Sequence, residues 1–112
     1  MTDAISTNLM RGTLDLLVLR AIEQGDLHGF AVARWIRDES GDQVAFEDAA
    51  VYQALHRLER QSLVESSWGR SENNRRARFY RLTSRGRGRL ATEAGEFRTY
   101  TDVVLKLLGS RP

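Results

Sequence analysis

A mainly α-helical domain with one small β-hairpin is the fold class this sequence predicts. Apolar residues recur at helical spacing in four segments, the spacing changes from near 3.6 to about 2 between residues 63 and 82, and the turn-forming stretch GRSENNRR divides that region in two. The chain has 112 residues, 41% hydrophobic and 29% charged, with its one Pro at Pro112. Such a profile fits one compact globular unit; neither a disordered chain nor a two-domain enzyme with an interdomain cleft is expected.

The first helix is read from Leu9 to Glu23, where Leu14, Leu17, Val18, Ala21 and Ile22 make one stripe and Gly25 offers a C-cap. Polar GDLHG then leads to a second helix, Phe30 to Glu39, whose Val32, Ala33 and Ile36 share a face and which stops at Ser40-Gly41. In the third, Val51, Ala54, Leu55 and Leu58 face one way, Gln53, His56, Arg57 and Arg60 the other, with Glu47 or Asp48 placed to meet its N-terminal dipole. Two strands follow, Leu63 to Trp68 and Ala77 to Leu82, the second with Phe79 and Arg81 on one side and Tyr80 and Leu82 on the other. Thr83 is an N-cap for a last helix reaching Leu108, although Gly86, Gly88 and Gly95 each weaken it by about 1 kcal/mol relative to Ala.

Within that last helix Leu90, Ala94, Phe97, Thr101, Val104 and Leu108 recur at alternating steps of four and three, the spacing of a coiled-coil seam, which Val103 and Leu107 widen. The stripe outruns the small core. It is read as a dimerisation helix over residues 84–108, following a domain over residues 8–83; the alternative is that it folds back on the first helix.

Charge is distributed unevenly. Residues 1–72 hold seven Arg against twelve acids, whereas residues 73–92 hold seven Arg and no acid, and the whole chain carries only +2. A local basic stripe of this kind is a footprint for a polyanion. Catalytic classes fail on inventory: there is no Cys, the two histidines His28 and His56 are far apart in sequence, and no HExxH, Walker or G-x-S-x-G motif occurs. No catalytic residue, metal site or cofactor is expected, and His28 is read as a structural hydrogen bonder. With no apolar run of about 18 residues and no signal-peptide core in MTDAISTNLMRG, a cytoplasmic chain without membrane contact is expected.

Helix, helix, helix, then hairpin is the order of a winged helix-turn-helix domain, in which the third helix enters the major groove and the hairpin reaches an adjacent groove. Double-stranded DNA is the partner this order suggests. On the third helix Ala49 and Ala50 would let its N-terminus approach the duplex, Tyr52 would meet phosphate or sugar, Gln53 and Arg57 could read adenine and guanine, and His56 shares their face. On the hairpin, Asn74, Arg75, Arg76 and Arg78 could straddle phosphates or enter a narrow minor groove. A winged-helix module that binds protein through the hairpin and long helix is the competing class; the basic wing tip opposes it.

The segments LMRGTLDLLVLRAIEQGDLHGFAVARWI, VYQALHRLERQSLVESSW and NNRRARFYRLTSRGRGRL resemble the PadR family of bacterial transcriptional regulators, from about Leu9 to Leu108. The matching motifs run from Arg11 to Leu19, His28 to Phe30, Val51 to Glu59 and Ala77 to Thr83. The resemblance implies a winged-helix domain, a C-terminal helix that pairs two subunits as a homodimer, and repression of nearby promoters, in some members relieved by a small aromatic effector. On that implication Phe97 and Tyr100 are the candidate effector contacts. Three of the departures from the family pattern carry physical consequences. Ala50 lacks a phosphate-binding hydroxyl, Gln53 stands where Pro is usual, and Ser62 replaces a Gly, so a positive φ there would be costly.

Overall fold

The computed structural model describes Met10 and residues 12–109. Its elements are α1 (Leu14–Glu23), β1 (Leu27–His28), α2 (Gly29–Glu39), α3 (Asp48–Arg60), β2 (Val64–Arg70), β3 (Arg76–Leu82) and α4 (Ser84–Leu108). This is the mainly helical winged helix-turn-helix architecture expected, with one addition. The sheet has three antiparallel strands in the order β1-β3-β2, because Leu27 pairs with Tyr80 and His28 with Phe79. A two-residue strand is too short to leave a period in sequence, so the GDLHG connection gave no sign of it.

The apolar stripes converge as their spacing requires. Val18, Leu19 and Ile22 of α1 meet Val32 and Ile36 of α2 and Val51, Ala54, Leu55 and Leu58 of α3, while Leu63, Val64, Tyr80 and Leu82 close the core from the wing. Burying each such aliphatic side chain contributes roughly 1.5–3 kcal/mol. The alternation on β3 is as read: Tyr80 and Leu82 point inward, leaving Arg81 exposed.

Element ends follow local chemistry. The first helix begins at Leu14; Gly12 has φ +91°, outside the helical region, and Thr13 Oγ1 donates to the Met10 carbonyl at 2.7 Å. The earlier start at Leu9, like a domain boundary at residue 8, lies outside the described residues. α2 is capped by His28, whose Nδ1 accepts the Ala31 N–H at 3.2 Å, the structural role expected of it. The wing strands extend to Arg70 and back from Arg76, which leaves a tip of residues 71–75 in which Asn74 adopts φ +56°.

The wing passes into α4 through one residue. Thr83 N donates to the Leu63 carbonyl at 3.1 Å, Thr83 Oγ1 donates to the Ser62 carbonyl at 2.7 Å, and the same oxygen accepts the Gly86 N–H at 3.0 Å. Gly86 is required by close approach: a Cβ there would collide with the Leu63 carbonyl oxygen. Ser62 itself sits at φ +62°, the left-handed conformation that glycine tolerates best.

Candidate nucleic-acid interface

Three elements bring their polar residues to one side of the molecule. On α3 the inward positions commit Val51, Ala54, Leu55 and Leu58 to the core, so Ala49, Tyr52, Gln53, His56 and Arg60 stand exposed on the opposite face. Tyr52 is anchored as well as exposed, its ring lying so close to Gly29 that a side chain at that glycine would overlap it. Helix α3 therefore rests on the first turn of α2 through an aromatic plate.

Arg57 departs from the expected outward position. Its guanidinium donates to Asp15 Oδ1 on α1 at 2.7 Å, and it lines, with half-buried Ala50, Phe46 and Leu14, a hollow of about 480 Å³ on the α1 flank. An opposite charge within hydrogen-bond distance holds the side chain there. Ala50 turns to the same flank and is not on the outer face with Ala49.

The wing supplies a second wall. The Arg76 guanidinium stacks over the exposed Trp68 ring at 4.3 Å, with Arg78 at 5.9 Å from the same ring. Arg78 is also tied inward: its Nε donates to Ser66 Oγ at 2.8 Å and its Nη2 to Glu59 Oε2 at 3.3 Å, while Ser66 Oγ donates to Glu59 at 2.6 Å. Glu59 belongs to α3, so this network locks the wing to that helix. Arg75 and Asn74 stay exposed at the tip.

Between these walls runs a groove. One part, about 600 Å³, is bordered by Phe30 and Arg34 of α2, Tyr52 of α3, and Trp68, Arg75 and Arg76 of the wing. A second part, about 310 Å³, lies between His56, Arg60 and Arg78 beside Glu59. Trp68, Arg34 and Arg60 thus join the face although sequence reasoning did not select them. The exposed position of Arg60 was legible from the helical period; Trp68 and Arg34 become neighbours only through the sheet and the α2 packing.

Along α4 the expected seam divides. Leu90 is 4% exposed and belongs to the subunit's own core, and Ala94, Thr101 and Val104 are half-buried. The fold-back alternative therefore holds for Leu90, which the heptad-like spacing could not distinguish from a partner contact. Farther along, Phe97, Tyr100, Val103, Leu105, Leu107 and Leu108 are exposed, with Tyr100 at 67% and Leu107 at 80%. Gly95, Thr99, Tyr100 and Val103 border an open trough on this part of the helix.

Among the described residues no cluster of three or more His, Cys, Asp or Glu could hold a metal ion, and no helix is long and apolar enough to cross a membrane. A family model described as the transcriptional regulator PadR-like family matches residues 18–92. Solved structures agree in fold over nearly the whole chain. A transcriptional regulator from Clostridium thermocellum is 25% identical with a TM-score of 0.84, covering 95% of this chain and 100% of its own. A PadR family regulator from Clostridium difficile is 27% identical with a TM-score of 0.77, covering 88% and 100%, and another from Eggerthella lenta is 29% identical with a TM-score of 0.79, covering 93% and 88%.

Proposed function

The chain belongs to the PadR-like family of transcriptional regulators, and from that premise we propose that it is a cytoplasmic repressor that binds an inverted-repeat operator as a homodimer. As a family member it is a transcriptional regulator and not an enzyme. The observation that carries the finer reading is the groove between α3 and the wing, where Tyr52, His56 and Arg60 face Trp68, Arg75, Arg76 and Arg78. A helix fits the major groove, and arginines on a hairpin can follow phosphates or a narrow minor groove beside it. Gln53 is the base reader on the outer face, able to pair with adenine; Ala49 admits the helix end and Asn74 lies at the wing tip. Arg57 acts from behind, holding α3 against α1 through Asp15.

The exposed apolar half of α4 supports the homodimer, since a helix with this face bare gains by pairing with a second copy. Two subunits related by a two-fold axis would present their α3 helices to half-sites about 34–36 Å apart. A small aromatic effector would act at Phe97 and Tyr100, both exposed on α4, of which Tyr100 borders the open trough; calorimetry with a panel of aromatic acids and phenols tests this, and absence of heat throughout removes it.

The reading is tested by fluorescence anisotropy of the protein with DNA from upstream of its own gene and with a scrambled duplex, at two salt concentrations. Tight, salt-sensitive binding that favours the native DNA by about a thousandfold or more is expected. Equal weak binding to both would transfer support to the protein-binding module.

A further inference from the structure

An acid stands at the basic tip of the wing. Glu72 lies in the turn of residues 71–75 between Arg70 and Arg75, and its carboxylate reaches across the groove to the start of α2. One oxygen lies 3.4 Å from Arg34 Nη2, and the other 3.9 Å from His28 Nε2. The second separation is too long for a hydrogen bond.

His28 makes that gap informative. The residue is 9% exposed, set between Phe30 and Phe79, and Nδ1 is committed to accepting the Ala31 N–H. A neutral imidazole that accepts at Nδ1 carries its proton on Nε2, so this atom is a donor. It is the one buried side-chain polar atom without a hydrogen-bond partner among the described residues. Beside it are the Arg34 guanidinium, stacked over the Phe30 ring at 5.4 Å, and the positive end of the α2 dipole. The cup therefore presents a fixed N–H and a guanidinium to one small anion, and it opens into the groove lined by Tyr52 and Trp68.

We propose that this cup is a binding site for a backbone phosphate of duplex DNA, and that in the free protein Glu72 occupies it as an internal substitute the DNA must displace. The proposal rests on the DNA-binding reading above. The two non-bridging oxygens of a phosphodiester match the two donors, and a phosphate is not held back by the hairpin from which Glu72 reaches. Glu72 is suited to leave: its side chain is 63% exposed, and its contacts with Arg34 and His28 are long. It is also suited to stay until displaced, because a backbone N–H of its own residue and the Arg34 guanidinium hold its carboxyl below the usual range and keep it ionised. Every duplex must remove this carboxylate, which weakens binding to all sequences, whereas the contacts of α3 are gained only at the correct one. Glu72 thus restrains nonspecific binding.

The test compares wild type, Glu72→Gln and Glu65→Gln on a mixed-sequence duplex across a salt series; Glu65 pairs with Arg81 at 3.5 Å on the same wing and controls for net charge. Glu72→Gln is expected to tighten binding several-fold with little change in the log–log salt slope, because the same phosphate is seated in both forms and only the carboxylate to be displaced is gone. Glu65→Gln should leave the affinity nearly unchanged, and adding Arg34→Gln to Glu72→Gln should abolish the gain. In parallel, inorganic phosphate should shift the His28 imidazole nitrogen resonances in Glu72→Gln at lower concentration than in wild type. Equal changes in the two single variants, or a His28 signal indifferent to phosphate, would overturn the proposal. If no form binds duplex DNA at any salt, the DNA reading falls, and the phosphate titration still decides the anion site.

Discussion

Single residues set both the cost and the reach of this fold. Ser62 holds φ +62° between α3 and β2, where an L side chain costs roughly 1–2 kcal/mol. Ser62→Gly is expected to stabilise the protein by about 1 kcal/mol, part of the relief being offset by a more flexible unfolded chain, and chemical denaturation measures the difference. That strain was legible because a serine stands where a turn asks for glycine. Arg75 and Arg76, at the wing tip, bear on binding and not on the core. Changing both to Ala should weaken binding to every duplex and flatten the salt slope by about one for each phosphate left without its arginine, while the preference between sequences stays in place; an unaltered slope would take the wing out of the interface. Sequence reading placed Gln53 and His56 on the outer face by period alone. It missed the pairing that draws Arg57 toward α1 because the cause, Asp15, lies 42 positions away.

At the scale of elements, the helices were readable from apolar spacing and caps, and Ser84–Leu108 emerges with the limits expected of it. What sequence spacing cannot assign is the partner of a stripe. On α4 one continuous pattern serves the subunit's own core at Leu90 and solvent beyond Phe97, since a heptad-like repeat records which face is apolar and not what covers it. The glycines of this helix are likewise unequal. A Cβ at Gly88 meets nothing within 4 Å, so Gly88→Ala should stabilise the protein by about 1 kcal/mol through helix propensity. At Gly86 the added carbon meets the Leu63 carbonyl, and Gly86→Ala should cost about 1–3 kcal/mol by pushing α4 off the wing. Thermal unfolding of the pair checks both, and equal effects of the same sign would refute this packing. The short strand β1 was invisible for a different reason: its identity comes from the β3 edge, not from its own two residues.

The whole molecule measures 51 × 35 × 20 Å, elongated by a helix with an uncovered apolar half. Sedimentation velocity should find the wild-type chain dimeric at micromolar concentration and Tyr100→Glu monomeric, with an unchanged circular dichroism spectrum; a monomeric wild type would remove the two-fold operator geometry along with the dimer. The charge stripe legible at residues 73–92 belongs to this scale too, because folding divides it between the wing and the first turns of α4. One joint then acquires a mechanical meaning. Thr83 is bonded to both Ser62 and Leu63, so α4 leaves the wing without a hinge, as a rod of about 37 Å fixed at one end. In the proposed dimer such a rod is a lever: a tilt of a few degrees where two copies cross is magnified along its length into an ångström-scale change in the distance between the two α3 helices.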